Sequence, residues 1–275
     1  MNAALHYTIN VGGKLMDLSQ PRIMGILNVT PDSFFADSRK QDTMAVRQRV
    51  EQMLAEGAEI IDIGAYSTRP GATEVSAEEE VARLRMGMDA IHDVAPDAIV
   101  SVDTFRADVA RIAVQEMGVH IINDIAGGDA DPEMFATVAQ LGVPYILTHN
   151  EVLKEGADLM ASVLQFFGRR VQQLHELGAK DIILDPGFGF NKTLEDNYHL
   201  LRHMSDLHTL QLPILVGISR KSMIHRLLGI TPQEALNGTT VLHALSLERG
   251  ATILRVHDVR ECAETIRIFK KMQEC

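Results

Sequence analysis

The sequence predicts an α/β fold: a single (β/α)8 TIM barrel over residues 1–275, with an N-terminal β-hairpin inside residues 1–20. Three observations lead there. Five segments repeat one pattern of glycine, short link, aliphatic run and polar residue: EGAEIIDIG (56–64), MGVHIINDI (117–125), LGVPYILTH (141–149), LGAKDIILD (177–185) and RGATILRVH (249–257). Three further runs, RIMGILNVT (22–30), AIVSVDTF (98–105) and LPILVGIS (212–219), bring the strands to eight. Strand-end residues from Asn28 to Arg255 recur about every 32 residues, against roughly 31 per unit for an eightfold barrel. A doubly wound open sheet is the alternative, but eight regular units in one chain favour closure.

Residues 5–18, LHYTINVGGKLMDL, read as a hairpin turning at Gly12-Gly13 and placed to close the barrel bottom. The strands are nearly continuous apolar runs, as parallel strands covered on both faces must be. Gly57, Gly118, Gly142, Gly178 and Gly250 follow helical stretches such as VRQRVEQMLAE and FGRRVQQLHEL, where a left-handed residue ends the helix. Ser76-Ala-Glu-Glu79 reads as a capping box, and Thr231-Pro-Gln-Glu234 as another with proline at the first helical position. Residues 220–249 hold two helical stretches, so the seventh unit is predicted to carry an extra helix. The connections VTPDSFFADSRKQD (29–42) and AYSTRPGATEV (65–75) are long for βα loops.

Bulk properties narrow the function. With 275 residues, 46% of them hydrophobic, the chain can bury a core without staples. No apolar run approaches the roughly 20 residues that span a bilayer, and MNAALHYTINVGG lacks the basic and apolar regions of a signal peptide. Neither a membrane role nor export is expected. Cys262 and Cys275 read as reduced thiols of a cytoplasmic protein. The net charge of −11 argues against nucleic-acid or anionic-membrane partners. Positive charge for an anionic substrate must therefore be local.

In such barrels the site forms at the C-terminal strand ends. There the sequence places Asn28, then Thr68 and Arg69, then Asp103, Asn123, His149, Asp185, Lys221, and Arg255 with His257. The segment DIILDPGFGFNKT (181–193) is the most unusual: a buried strand runs into an acid and then a glycine loop with two aromatic rings. A plain turn needs the glycines but not the rings. Arg255 and His257 alternate along their strand and share a face, which suits a phosphate clamp. No convincing Ser-His-Asp, Cys-His or zinc-ligand spacing is present.

ILNVTPDSF (26–34), STRPGA (67–72), SVDT (101–104), IIND (121–124), LDPGFGF (184–190), GISRKS (217–222) and RVHDV (255–259) together resemble the motif set of the dihydropteroate synthases. They stand in that family's order and cover nearly the whole chain, and ILNVTPDSF and DPGFGF are the most specific. The resemblance implies a condensation in folate biosynthesis, assisted by Mg²⁺. p-Aminobenzoate displaces pyrophosphate from 6-hydroxymethyl-7,8-dihydropterin diphosphate to give 7,8-dihydropteroate. On that reading Asp103, Asn123, Asp185 and Lys221 hold the pterin, with the Asp185 carboxylate accepting two adjacent donors. Asn28, Thr68, Arg69, Arg255 and His257 hold the diphosphate, and Asn28 the metal. Phe34, Thr68, Pro70, Phe190 and Ser222 hold p-aminobenzoate. Asp103, Lys221 and Arg255 carry the catalysis, which needs only positioning and electrostatics around an activated leaving group. A homodimer is also implied.

Plainer readings stand beside these. Asp185 and Asp103 suit caps of the turns that follow them. His257 and His149 suit core or loop hydrogen bonds, Phe34 and Phe190 suit packing, and Arg220 suits a structural or surface role. Two stretches depart from the family pattern. THN (148–150) replaces the usual Met-His-Met, ahead of a shortened loop over 148–160, and AYS (65–67) replaces Gly-Glu-Ser. Rival functions are a methyltetrahydrofolate-type pterin-binding methyltransferase domain and a non-catalytic pterin-binding paralogue.

Overall fold

The computed structural model describes residues 6–29, 39–66, 75–154 and 156–275. Strands β1 (Thr8–Val11) and β2 (Lys14–Asp17) form an antiparallel hairpin turning at Gly12-Gly13, both with positive φ. The repeating part follows: β3 (Arg22–Asn28), α1 (Arg39–Glu56), β4 (Ile60–Gly64), α2 (Ala77–Val94), β5 (Ile99–Asp103) and α3 (Ala107–Met117). Next come β6 (Ile121–Asp124), α4 (Met134–Leu141), β7 (Tyr145–Thr148), α5 (Leu159–Leu177), β8 (Ile182–Asp185) and α6 (Leu194–His203). The chain ends with β9 (Leu215–Val216), α7 (Ser222–Leu228), α8 (Leu236–Glu248), β10 (Ile253–Val256) and α9 (Val259–Gln273). The extra helix of the seventh unit is α7.

The eight parallel strands lie in the order β8-β7-β6-β5-β4-β3-β10-β9. Their two ends meet through a parallel bridge between Leu184 and Ile214, where Leu184 N donates to Pro213 O at 2.9 Å. The sheet therefore curls into a barrel, and the open-sheet alternative is set aside. β9 is much shorter than the run 212–219 suggested, because the chain leaves the ladder at Gly217 to turn into the site.

Apolar side chains pack in two places. One large cluster fills the layer between strands and helices. A second closes the lower barrel: Met24, Ile60, Ile121, Ile146, Ile183, Leu215 and Ile253 meet Ile9, Val11 and Leu18 from the hairpin segment. Burying each such side chain contributes about 2 kcal/mol. Strand β1 alternates exposed and buried residues, so Ile9 and Val11 both point inward. Asn10 N adds a bond to Asp181 Oδ2 at 3.2 Å, pinning the hairpin across the bottom.

The five repeat glycines all have positive φ, from +65° at Gly142 to +108° at Gly57, as the helix-ending role requires. The helix starts differ in detail. Ser76 accepts from Glu79 N at 3.2 Å, but the Glu79 carboxylate turns to Arg83 one turn on, so that box is half made. The Thr231–Glu234 box is complete, yet it opens a 3-10 turn over Pro232–Glu234 and not α8 itself. A third box, Thr193 with Asp196, begins α6.

Candidate active site

The strand ends deliver charge to one interior layer. Register sets Gly64 beside both Asn28 and Asp103, Asp103 beside Asn123, and Thr148 beside Asp185. From β10, Arg255 reaches across the barrel. Its Nε donates to Asp62 Oδ2 at 2.6 Å and an Nη to Asp103 Oδ2 at 2.8 Å. Asn123 Nδ2 donates to the same Asp62 oxygen at 3.1 Å. Asp185 faces this group: a Cβ placed on Gly217 would lie 3.9 Å from Asp185 Oδ2 and equally 3.9 Å from Arg255 Cδ. The two residues thus border one space. Asp62 is fully buried, and a buried carboxylate persists only when paired.

Electrostatics follow from this crowding. Burial pushes the Asp103 carboxyl up to about 7; Arg255 pulls it down, and Asp62 adds to the rise. Burial also raises Asp185, against the pull of Lys221 and the Gly187 N–H. Burial lowers the Lys221 ammonium to about 8, with Asp185 resisting. Burial disfavours the Arg255 charge, but Asp62 and Asp103 outweigh it and hold the guanidinium protonated.

The glycine loop after β8 resolves the oddity of its sequence. Asp185 Oδ1 accepts from Gly187 N at 2.8 Å, so one oxygen holds the turn and the other remains for the cavity. Gly187, at φ +71°, presses against His149 O and has no room for a Cβ. The rings divide: Phe188 is fully buried in the core, whereas Phe190 sits at the mouth, 4.5 Å from Lys221 Nζ. Lys221 Nζ also donates to Phe188 O. Behind the loop, Lys192 Nζ donates to Gly187 O at 3.0 Å, His149 O at 3.2 Å and Phe190 O at 3.2 Å. It lies 3.0 Å from His149 Nδ1 as well. Burial, then Lys192, lower His149 to about 3, so its ring is neutral and Nδ1 accepts. His149 packs edge-on to Phe166 at 4.9 Å, which is the core role and not a cavity role. Asn150 fills the third position of the altered Thr-His-Asn stretch. It donates to Ile125 O at 3.0 Å and accepts from Asn191 Nδ2 at 2.9 Å, tying three loops together.

At the rim, His257 Nδ1 lies 3.0 Å from Ser219 Oγ. Arg220 grips Asp258 and is a brace between the last two strand ends. Ser222 opens α7 and is half-buried. Asn28 is exposed at the end of β3, and a Cβ on Gly64 would fall 3.6 Å from its Oδ1 and 3.8 Å from Asp103 Oδ2. Glycine there keeps open a gap bordered by two oxygen donors. Among the described residues no cluster of three His, Cys, Asp or Glu could hold a metal alone. The amide oxygen of Asn28 and the carboxylate oxygen of Asp103 are hard donors, of the kind Mg²⁺ takes in small number beside substrate and water. Phe34, Thr68, Arg69 and Pro70 lie outside the described residues.

Three features escaped the sequence reading. Asp62 is not at a strand end, although a carboxylate inside Ile-Ile-Asp-Ile, a run covered on both faces, demands a buried partner. Lys192 gave no signal, because a lysine after a glycine loop looks solvated. The third is a clamp beside Tyr66. Arg106 donates to the buried Glu80 at 2.5 Å and to Val75 O at 2.8 Å, and its guanidinium lies 5.3 Å from the Tyr66 ring centre. Asp103 does not cap α3: the residue at that position is Arg106, and Asp103 turns inward to Arg255.

Comparison with known proteins gives the family. The family model for pterin binding enzymes matches residues 24–257. The dihydropteroate synthase of Escherichia coli K12 is 40% identical over 267 residues, covering 94% of each chain. The Xanthomonas albilineans dihydropteroate synthase solved with 4-aminobenzoic acid superposes with a TM-score of 0.89 at 36% identity, covering 98% of each chain. The same enzyme in complex with 7,8-dihydropteroate gives 0.86 at 32% identity, covering 98% of this chain and 99% of that one. With this extent of similarity, the chain belongs to the dihydropteroate synthase family of pterin-binding enzymes.

Proposed function

We propose that this chain condenses 6-hydroxymethyl-7,8-dihydropterin diphosphate with p-aminobenzoate, giving 7,8-dihydropteroate and pyrophosphate. The observation that carries the reading is the convergence of Asp185, Lys221, Asn123, Asp103 and Arg255 on one barrel mouth. Asp185 accepts the adjacent N–H donors of the pterin edge, and Asn123 and Asp103 meet its remaining polar atoms. Lys221 donates to ring acceptors. Phe190, Ser222, Phe34, Thr68 and Pro70 receive p-aminobenzoate. We assign Asn28, Thr68, Arg69 and His257 to the diphosphate, together with Arg255. Arg255 is already shared by two carboxylates, so it serves as a fixed charge beneath the site more than as a free hand for phosphate.

The methylene C–O bond breaks as the amine nitrogen forms its bond to the methylene carbon, and the amine proton leaves to solvent. Asp103 stabilises positive charge spreading into the ring, while Arg255 and Lys221 hold the reactants in register. Mg²⁺, held by Asn28 together with the diphosphate, would neutralise charge on the leaving group. The transition state is loose: a far stronger amine nucleophile leaves the single-turnover chemical rate nearly unchanged, and a proportionate rise contradicts this.

We also place the protein in the cytoplasm as a homodimer. Among the described residues no helix is long and apolar enough to cross a membrane, and both thiols are free. Helix α8 packs beside α7 and α9, and these three expose Leu227, Leu228, Val241, Leu245, Ile268 and Met272, apolar side chains that a second copy would cover. Light scattering coupled to size exclusion reads the mass. Mixing both substrates with Mg²⁺ and measuring pyrophosphate tests the reaction. Pterin binding without release of pyrophosphate would instead support the non-catalytic or methyltransferase readings.

A further inference from the structure

We infer that Asp62 is a positioning residue for the pterin floor: it fixes which way the Asn123 amide faces and locks the Arg255 guanidinium in place. The inference rests on the pterin-binding reading of this site. Asp62 sits inside β4, in register with Ser101 of β5, and its side chain is fully enclosed. One oxygen, Oδ2, receives both Asn123 Nδ2 at 3.1 Å and Arg255 Nε at 2.6 Å. An amide oxygen cannot face a carboxylate without repulsion, so Asp62 leaves Asn123 one orientation, with the NH₂ inward. Asn123 Oδ1 is then the atom left over. It is buried and has no hydrogen-bond partner. It is an acceptor, so the ligand edge that satisfies it must bring an N–H. The partner of Asp62 on the other side, Arg255, spans to Asp103 at 2.8 Å. One buried carboxylate thereby sets two groups of the floor. Its charge also reaches Asp103, whose surroundings are Arg255, Asp62, Asp124 and Glu80.

Asp62→Asn keeps the shape, removes the charge and frees the Asn123 amide to turn over. The test is a double-mutant cycle on dihydropterin diphosphate affinity, read by titration calorimetry, with Asp62→Asn, Asn123→Ala and both together. Each single change is expected to weaken binding about tenfold or more, and the double to lose clearly less than the product of the two, because the part of the Asp62 effect that runs through Asn123 is already gone and only the part through Arg255 remains. The KM for p-aminobenzoate stays near its original value. The acid limb of kcat/KM against pH moves to lower pH in Asp62→Asn, since a neighbour that raises the Asp103 carboxyl is gone. Multiplicative losses in the cycle, or an unmoved acid limb, overturn the inference. Should Asp62→Asn not fold, the unaltered protein still decides the matter. The side-chain NH₂ protons of Asn123, assigned by their loss in Asn123→Ala, should exchange slowly with solvent before and after pterin binds, and rapid exchange overturns it. Absence of pterin binding by the unaltered protein would instead defeat the proposed function.

Discussion

Arg220 and Asp258 form a two-pronged ion pair, Nε to Oδ2 at 2.8 Å and Nη2 to Oδ1 at 2.8 Å, across the last two strand ends of the barrel. Arg220 adopts φ +55°, and its Nη1 also donates to Pro232 O at 3.0 Å and Gln233 O at 2.6 Å. The residue immediately before Lys221 is thus held by four bonds. Arg220→Lys cannot reproduce the planar fork. It should lower unfolding free energy by about 1–3 kcal/mol in urea titrations, and raise the pterin KM by loosening Lys221. An unchanged denaturation midpoint would show the brace to be idle.

Asp185→Asn should separate function from stability. Burial raises the Asp185 carboxyl, so its charge is a strain on the fold. Neutralising it leaves the thermal midpoint equal or higher, while pterin affinity falls about tenfold or more with the loss of a charged double acceptor. Calorimetry on the variant reads both quantities, and a large drop in the midpoint contradicts the argument.

A narrow pH profile is expected. Asp103 titrates at about 7 and must be ionised to face ring charge, so kcat/KM falls below that value. Lys221 titrates at about 8 and must be protonated to donate, so the rate falls above it. Stability runs differently. Asp103 is raised in the fold, so its contribution is present below its unfolded value near 4 and is lost as pH rises through about 7. Lys221 is lowered, so the unfolded chain binds the extra proton between about 8 and its ordinary 10.5, and stability rises with pH across that window. A flat rate between pH 6 and 9 removes both assignments.

Removing Arg106 should be costly. Glu80 is fully buried, and Arg106 is its charged partner at 2.5 Å, with Thr104 Oγ1 donating at 2.7 Å. Arg106→Ala leaves a buried carboxylate unpaired, at a cost of about 3–5 kcal/mol. Adding Glu80→Gln should restore much of that in urea denaturation, and no restoration means the pair is not the cause.

Much of the barrel was legible because its period is written in chemistry: a glycine that only a left-handed cap requires, then an aliphatic run, then a polar end. Asp185, Asn123 and Asp103 were legible for the same reason, standing where strand ends must stand. Asp62 was not, because a strand-end search stops at Gly64, two residues later. The extent of β9 was not, because apolar residues in LPILVGIS say nothing about where a ladder stops. His149 stands at a strand end and takes the core and loop role it also suited, but its partners were not legible, since Phe166 and Lys192 lie 17 and 43 positions away in sequence.

The hairpin seal at the barrel bottom has a consequence for traffic. With Ile9, Val11 and Leu18 packed into the lower barrel, the described residues close that end, and on the proposed reading both substrates enter at the C-terminal strand ends. The proposed seat of the pterin on the floor lies beneath that of p-aminobenzoate, so the reading predicts that the amine binds only after the pterin, which titration of p-aminobenzoate with and without pterin measures. On that reading the joined product leaves by the same end, and the two halves queue in a fixed order.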